Sequence, residues 1–207
     1  MMNSQEWTCL WYLRLNGYFT IPNFIVHGRP AALTDIDVLA VRFPYSSESL
    51  LLDDGELGIP KDMTDIIFAE AKRGEIRSLN GPWGDPQTGA LSRVLQRVGI
   101  LPPDRVGEIA TELYEKKSAS DNRCTIRICA FAESISPELR QGGVHFIGWR
   151  HVLRFVHQRF RGNKQFKADH EMWDEYGQYL WNKLNDHDPC EPADLFDGWD
   201  ERNSARD

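Results

Sequence analysis

The chain has 207 residues, of which 41% are hydrophobic and 27% are charged, and its formal net charge at pH 7 is −7. This composition is normal for a soluble globular protein, and no apolar run approaches the ~20 residues that a membrane-spanning helix needs. The first residues lack the basic region of a signal peptide. The cysteines show neither a CxxC pair nor zinc-ligand spacing. We therefore expect a cytoplasmic protein with reduced thiols.

The charge is unevenly distributed along the chain. Residues 186–207 contain eight acids and two arginines, a net charge of −6, so the first 185 residues carry only −1. Residues 139–168 contain no acid but several arginines and lysines. The overall negative charge argues against a nucleic-acid partner, but this segregation into a basic segment and an acidic tail weakens that objection.

The first half of the chain predicts one helix followed by three strands. Apolar residues at helical spacing predict a helix over 4–15, with Ser4 as its cap. Strands are predicted over 18–27, 34–43 and 65–72. Residues 44–63 form a long connection, and loops above ~12–15 residues are uncommon unless they are functional.

The second half predicts alternating helices and strands. After a turn-rich stretch, helices are predicted over 90–98, 103–117, 149–161 and 169–184, and strands over 123–132 and 144–149. We expect an α/β (α+β) fold in which the first three strands form an antiparallel meander and the strand reached through a helix pairs in parallel. Residues 1–185 are predicted to be one domain, and residues 186–207 a flexible acidic tail.

Two of the predicted strands carry charged side chains, although their other residues are those of a buried strand. Residues alternate between the two faces of a strand, so Asp35 and Asp37 share a face with Leu39, while Ile36 and Val38 share the other. An unpaired carboxylate on a buried strand is costly. The third strand places Glu70 and Lys72 on one face and the small residues 69 and 71 on the other. These acids therefore need a functional or structural explanation.

Four short sequences in this order resemble the PD-(D/E)XK, or restriction-endonuclease-like, nuclease superfamily, and its Holliday-junction-resolvase-like branch in particular. They are the helical residue Glu6, Gly17-Tyr18, Asp35-Ile36-Asp37-Val38-Leu39 and Ala69-Glu70-Ala71-Lys72. The resemblance spans residues 4–132, although the proline of the family name is absent before Asp37. It implies an αβββαβ core with a mixed central sheet flanked by helices, a Mg²⁺ cofactor for which Mn²⁺ substitutes, and phosphodiester hydrolysis.

The same residues suit that chemistry on physical grounds. Mg²⁺ is held by one or two carboxylates plus other oxygens, so we expect Asp37, Glu70 and the Ala71 carbonyl to bind it. Lys72 would hold the attacking water or stabilise developing charge, and Glu6 would reach the metal directly or through water. Asp35 and Gln96 are predicted to support the site from outside it. The alternatives are ordinary ones: a surface ion pair between Glu70 and Lys72, a loop-capping role for Asp37, and a solvated Glu6.

The predicted helix over 149–161 has a basic face. Arg150, Arg154, His157 and Arg161 fall on one stripe, and Lys164 follows the helix. The apolar residues of this helix fall on the opposite face. Such a stripe predicts contacts with nucleic-acid phosphates; the alternatives are a solvated face or a docking site for the acidic tail or a protein partner.

The sequence thus predicts a Mg²⁺-dependent endonuclease and favours DNA over RNA as its substrate. The superfamily resemblance implies a bacterial defence or DNA-processing system as its setting. The alternative is a catalytically silent nuclease-fold module that binds nucleic acid or a partner protein without cutting. A protein partner and a homodimer both remain open, and no membrane partner is expected.

Overall fold

A central mixed sheet with helices on both faces forms the framework of the molecule. The computed structural model describes residues 2–28, 32–46, 53–162, 174–185 and 190–204. The helices in these ranges are α1 (Ser4–Leu15), α2 (Gly81–Gly84), α3 (Ala90–Val98), α4 (Val106–Lys116), α5 (Pro137–Gln141), α6 (Trp149–Gly162), α7 (Glu175–Leu184) and α8 (Pro192–Ser204). The strands are β1 (Phe19–His27), β2 (Ala32–Arg42), β3 (Thr64–Ala71), β4 (Glu75–Ile76), β5 (Ser118–Ser120), β6 (Cys124–Ala132), β7 (Ser134–Ile135) and β8 (His145–Gly148).

The order of strands confirms the expected meander and crossover. In the sheet β1 pairs with β2 and β2 with β3, both antiparallel, and β3 pairs in parallel with β6. Strand β6 also carries β5 antiparallel and β8 in parallel along its far edge. The short strands β4 and β7 form a separate parallel pair. The chain therefore has a mixed α/β architecture in which β3 lies between an antiparallel and a parallel neighbour.

The sheet separates two hydrophobic cores. The first core lies between the sheet and helices α1, α6, α7 and α8, and it contains Leu10, Ala69 and Trp149. The second core lies between the opposite face and helices α2, α3 and α4, and it contains Phe68 and Trp83. Because side chains alternate along β3, Ile67, Ala69 and Ala71 face the first core, and Ile66 and Phe68 face the second. Both faces of β3 are thereby buried, which is typical of a central strand.

Helix α1 crosses the first core and is buried on almost every side. Its cap is Asn3 and not the predicted Ser4, because the Asn3 side chain accepts a hydrogen bond from the Glu6 amide at 2.9 Å. The Glu6 carboxylate bonds back to the Asn3 amide, which completes a capping box. Gly17, with a φ of 80°, allows the chain to leave the helix and enter β1.

The acidic C-terminal segment differs most from its prediction. The segment predicted as a flexible tail contains α8, whose Leu195, Phe196 and Trp199 are buried in the first core. These apolar residues recur at helical spacing, so burying them outweighs the cost of ordering the acids on the other face. The other predicted elements agree within a few residues with those described, while residues 163–173, where part of the last predicted helix lies, are outside the described ranges.

Two further features concern the cysteines and the lengths of the helices. Cys9, Cys124, Cys129 and Cys190 are all free thiols, as predicted. Within the ranges that the structure describes, none of the helices combines the length and apolar character required to cross a bilayer.

Replacing Phe196 tests whether α8 is part of the core. Phe196 is 1% exposed, so Phe196→Ala is expected to lower the free energy of unfolding by about 3–5 kcal/mol. Glu201→Ala, on the exposed face of the same helix, is the matched control and should change it by less than about 0.5 kcal/mol. Urea unfolding followed by tryptophan fluorescence measures both. Equal stability of the two variants would show that α8 does not pack on the domain.

Candidate functional site

The site is built where the pairing of β2 with β3 ends. The last paired residues are Val38 and Ala69, and Asp37 is the next residue of β2. Its Oδ2 accepts a hydrogen bond of 2.8 Å from the Ala71 amide, so a side chain replaces the next backbone contact. The N–H and C=O of one residue point to the same edge of an extended strand, so the Ala71 carbonyl faces the edge that carries Asp37.

Lys72 joins the two carboxylates that the sequence singled out. Its Nζ lies 3.7 Å from Asp37 Oδ2 and 3.7 Å from Glu70 Oε1, so these two oxygens are no more than twice that distance apart. The backbone of Lys72 is fixed on its other side, because its amide donates to the Phe131 carbonyl at 2.9 Å and its carbonyl accepts from Trp149 Nε1 at 2.8 Å. The structure therefore brings Asp37, Glu70 and Lys72 together at one strand end.

Asn80 completes the site and was missed in the sequence. Its backbone amide donates to Glu70 Oε2 at 3.0 Å, and its side-chain Nδ2 donates to the Asp35 carbonyl at 3.2 Å and to Asp35 Oδ1 at 3.0 Å. Asn80 thus contacts both Asp35 and Glu70. The available signal was an asparagine before Gly-Pro at the start of α2, inside a stretch that predicted only turns.

These side chains surround a small cavity. It measures about 60 Å³ and is lined by Asp35, Asp37, Glu70, Lys72, Asn80 and Trp83. Among the residues that the structure describes, no three or more His, Cys, Asp or Glu side chains form a group that could hold a metal by themselves. Mg²⁺ is commonly held by only one or two carboxylates and takes its other ligands from water and substrate phosphate. Two carboxylates facing a polar cavity fit that pattern.

Burial raises the pKa of both carboxyl groups above their ordinary value. For Asp37 the hydrogen bond from Ala71 and the charge of Lys72 act in the opposite direction, and Asp35 adds to the rise. For Glu70 the hydrogen bond from Asn80 and the charge of Lys72 also lower the pKa, but less than burial raises it. The ammonium of Lys72 therefore does not fully offset the cost of ionising these groups. A bound cation would offset it further.

Glu6 and Gln96 take different places from those predicted for them. Both carboxylate oxygens of Glu6 accept hydrogen bonds from Asn3, at 3.1 and 2.8 Å. Glu6 is nevertheless close to the site, since burial raises its pKa first, Asp37 adds to the rise and Lys72 opposes it. Gln96 is exposed on α3, which packs against α4 and β1, and it does not belong to the residues that line the cavity.

The strand face at the site is irregular. Ile36 belongs to the second core together with Leu39, although strict alternation predicts that it shares a face with Val38. The partner strand explains the difference: Asn23, with a φ of 48°, lies between the residues that pair with Val38 and Ile36 and thus opposite Asp37. This distortion of β1 interrupts the pleat where Asp37 turns towards Ala71.

Helix α6 carries part of the predicted basic stripe. Arg154 and Arg161 are exposed, and Arg150 is exposed but paired with Glu191, its NH2 lying 2.9 Å from Glu191 Oε2. His157 is instead buried and donates from Nδ1 to the Leu184 carbonyl at 2.7 Å, because α7 packs over this turn of α6. Lys164 lies outside the described residues.

Comparison with known proteins adds no relative. No family model matches the chain, and no curated protein or solved structure matches it either. The case for a function therefore depends on the geometry of the site.

The raised pKa values predict how the metal-free protein responds to pH. A carboxyl group whose folded pKa is raised binds more protons when folded, so its contribution makes the protein less stable as pH rises through that pKa. Asp37→Asn and Glu70→Gln remove this cost. Each variant should therefore be more stable than the wild type at pH 7, and the difference should disappear as pH falls towards the ordinary carboxyl pKa.

Asp65, at the other end of β3, provides the matched control. Arg127 donates to both of its oxygens, at 3.0 and 2.7 Å, and the pair is buried. Asp65→Asn should destabilise the protein by about 3–5 kcal/mol, because it leaves a buried guanidinium without its partner. Thermal unfolding with EDTA at several pH values measures all three variants. A loss of stability in Asp37→Asn at pH 7 similar to that in Asp65→Asn would indicate a structural ion pair.

Proposed function

We propose that this protein is a metal-dependent nuclease that hydrolyses phosphodiester bonds, with DNA favoured over RNA as the substrate. The observation that carries the proposal is the meeting of Asp37, Glu70 and Lys72 at the end of β3, beside a polar cavity. Hydrolysis of a phosphodiester requires a cation beside the phosphate and a positioned water. Two partly neutralised carboxylates and an ammonium group supply the protein side of that arrangement.

Each residue of the site has a distinct task under this proposal. Asp37, Glu70 and the Ala71 carbonyl would hold Mg²⁺, or Mn²⁺ in its place. When bound, such an ion lowers the pKa of a water molecule and balances charge on the phosphate. Lys72, whose side chain is 51% exposed, can reach a water or a phosphate oxygen and stabilise negative charge there. The Asn80 amide keeps Glu70 in place.

The arrangement of elements supports the same proposal. From α1 to β6 the main elements are a helix, three antiparallel strands, three helices and a strand parallel to the third, with the short strands β4 and β5 between them. This order agrees with the αβββαβ core that the superfamily resemblance implies, with Asp37 on the second strand and Glu70 on the third. A place in bacterial defence or DNA processing follows from the resemblance alone. Arg154 and Arg161 on α6 would contact the nucleic-acid backbone.

One observation favours a module without catalytic activity. Lys72 Nζ lies at the same distance from both carboxylates, so its ammonium could serve as their permanent counter-ion. The raised pKa values of Asp37 and Glu70 argue against that alternative, because a full counter-ion would lower them. The Lys72 side chain is also too exposed for a buried structural pair.

The nuclease proposal predicts that cutting and metal binding can be separated. Plasmid and single-stranded circular DNA are incubated with Mg²⁺, Mn²⁺ or EDTA, and cleavage should require metal. Asp37→Asn and Glu70→Gln should abolish both cleavage and the rise in thermal stability that Mg²⁺ gives the wild type. Lys72→Ala should abolish cleavage and keep that rise, because Lys72 does not bind the metal.

Lys116→Ala is the control for the loss of one exposed lysine, since Lys116 pairs with Glu112 on α4. It should leave cleavage unchanged. Metal-dependent cleavage that survives in the Asp37→Asn/Glu70→Gln/Lys72→Ala triple variant would place the activity elsewhere or in a contaminant. Wild-type protein that binds DNA and is stabilised by Mg²⁺ but never cuts would establish the silent module instead.

The basic face of α6 gives a separate prediction about affinity. Arg154→Glu/Arg161→Glu should weaken binding to duplex DNA and flatten its salt dependence, by a slope of ~0.9 in log K against log salt for each phosphate that the variant no longer neutralises. The control is Arg105→Glu/Lys116→Glu on α4, which changes the net charge equally. Fluorescence anisotropy at several salt concentrations measures both. If the two double variants bind alike, the α6 face is merely solvated.

A further inference from the structure

Two arginines next to the site are held by acids of the C-terminal segment. Arg73, which follows Lys72, forms an ion pair with Asp197 of α8. Arg150, near the start of α6, forms an ion pair of 2.9 Å with Glu191, which immediately precedes α8. The C-terminal segment thus supplies one carboxylate to each arginine.

Both arginines are attached to the backbone that builds the site. Arg73 is the chain neighbour of Lys72, and Arg150 is the chain neighbour of Trp149, whose indole donates to the Lys72 carbonyl. A groove of about 360 Å³ opens beside Arg150, and its walls also include Glu133, Trp149 and residues 191–193. Arg73 and Arg150 are thus linked through the backbone to the strand end that carries Lys72. We expect a nucleic-acid strand bound at Lys72 to reach these two guanidinium groups.

In both ion pairs, a phosphate group can replace the carboxylate as the partner of the arginine. The side chains of Arg73 and Asp197 are 46% and 54% exposed, and those of Arg150 and Glu191 are 77% and 62% exposed. Exposed pairs contribute little to stability because water and salt screen them. A phosphate group is a better partner for a guanidinium, since it carries charge on several oxygens and accepts two hydrogen bonds at once.

The exchange needs no movement of α8. Leu195, Phe196 and Trp199 anchor this helix in the first core, so the acids are held near the arginines whether or not the pairs are closed. Only the side chains of Asp197 and Glu191 need to turn away. Asp197 is not the only acid near Arg73. The hydrogen bond that Arg73 donates to Asp197 raises the pKa of Arg73 most, and the charges of Asp200 and Glu133 act in the same direction.

We propose that Arg73 and Arg150 bind the phosphate backbone of nucleic acid beside the scissile bond, and that Asp197 and Glu191 occupy these arginines as competing anions in the free protein. The proposal rests on the nuclease function and adds Arg73 to the basic face of α6, on which Arg150 lies with Arg154 and Arg161. It implies that the carboxylates of the C-terminal segment reduce affinity for the substrate without being a detachable tail.

The test removes the carboxylates without unfolding the helix. Asp197→Asn and Glu191→Gln keep the shape of each side chain and remove its charge. The probes are a fluorescent single-stranded oligonucleotide and its duplex, in EDTA to prevent cutting. Each variant should bind about two- to fivefold more tightly than the wild type at low salt, the range that the loss of one exposed competing pair allows. The gain should shrink as salt rises.

Glu112→Gln is the matched control, because it removes the same charge from an exposed ion pair on α4, which packs on the second core. Its gain measures the effect of net charge alone. Arg73→Gln should weaken binding, and Asp197→Asn added to Arg73→Gln should gain no more than Glu112→Gln does. If Asp197→Asn no longer increases the affinity once Arg73 is replaced, Asp197 acts through Arg73. Thermal unfolding checks that every variant remains folded.

The outcomes distinguish this proposal from the one it rests on. If the wild type binds and cuts nucleic acid but Asp197→Asn and Glu191→Gln gain no more affinity than Glu112→Gln, the competing-anion proposal is wrong and the nuclease proposal stands. If Asp197→Asn still exceeds the control in the absence of Arg73, the assignment to Arg73 is wrong. If the wild type neither binds nor cuts either form of nucleic acid, both proposals fall.

Discussion

The hydrogen bond from the Ala71 amide to the Asp37 carboxylate is the contact on which the site depends. It ends the pairing of β2 with β3 with a side chain in place of a backbone carbonyl. On the other side of β3, the parallel neighbour β6 holds the Lys72 amide through Phe131. A strand end held from both edges directs its last side chains by backbone geometry, so Glu70 and Lys72 meet Asp37 without help from a flexible loop.

The buried acids at the two ends of β3 have different surroundings. Asp65 and Glu70 are both almost fully buried, on the same strand. Asp65 is saturated: Arg127 donates to both of its oxygens, and the Tyr18 hydroxyl also donates to one of them. Glu70 receives one backbone amide and a lysine at 3.7 Å. The negative charge of Asp65 is therefore fully compensated by its partners, and that of Glu70 is compensated only in part.

Local patterns predicted the mixed sheet with its flanking helices and the proximity of Asp37, Glu70 and Lys72. The period of two in β2 and β3 placed Asp37 and Glu70 on neighbouring strands, because the register of a short meander follows from the same alternation. Other residues depended on long-range packing. Asn80 reaches the site because α2 packs on the second core, and His157 is buried because α7 covers it. The displacement of Ile36 follows from a distorted residue on the partner strand.

In the acidic C-terminal segment, composition predicts a flexible tail, whereas the spacing of the apolar residues is that of a helix, and the segment contains a helix. Its Pro192, Leu195, Phe196 and Trp199 follow the helical spacing of a buried face, with proline in the first turn. Since α8 belongs to the domain, its negative charge cannot be discounted as a remote tail when the domain is considered as a partner for phosphate. Overall attraction is weak in a chain with a net charge of −7. Under the proposed function, affinity for a polyanion must then come from individual arginines close to the site, and the acids that hold those arginines oppose it. The local pairing of charges, rather than net charge, would then decide how strongly this surface binds a nucleic acid.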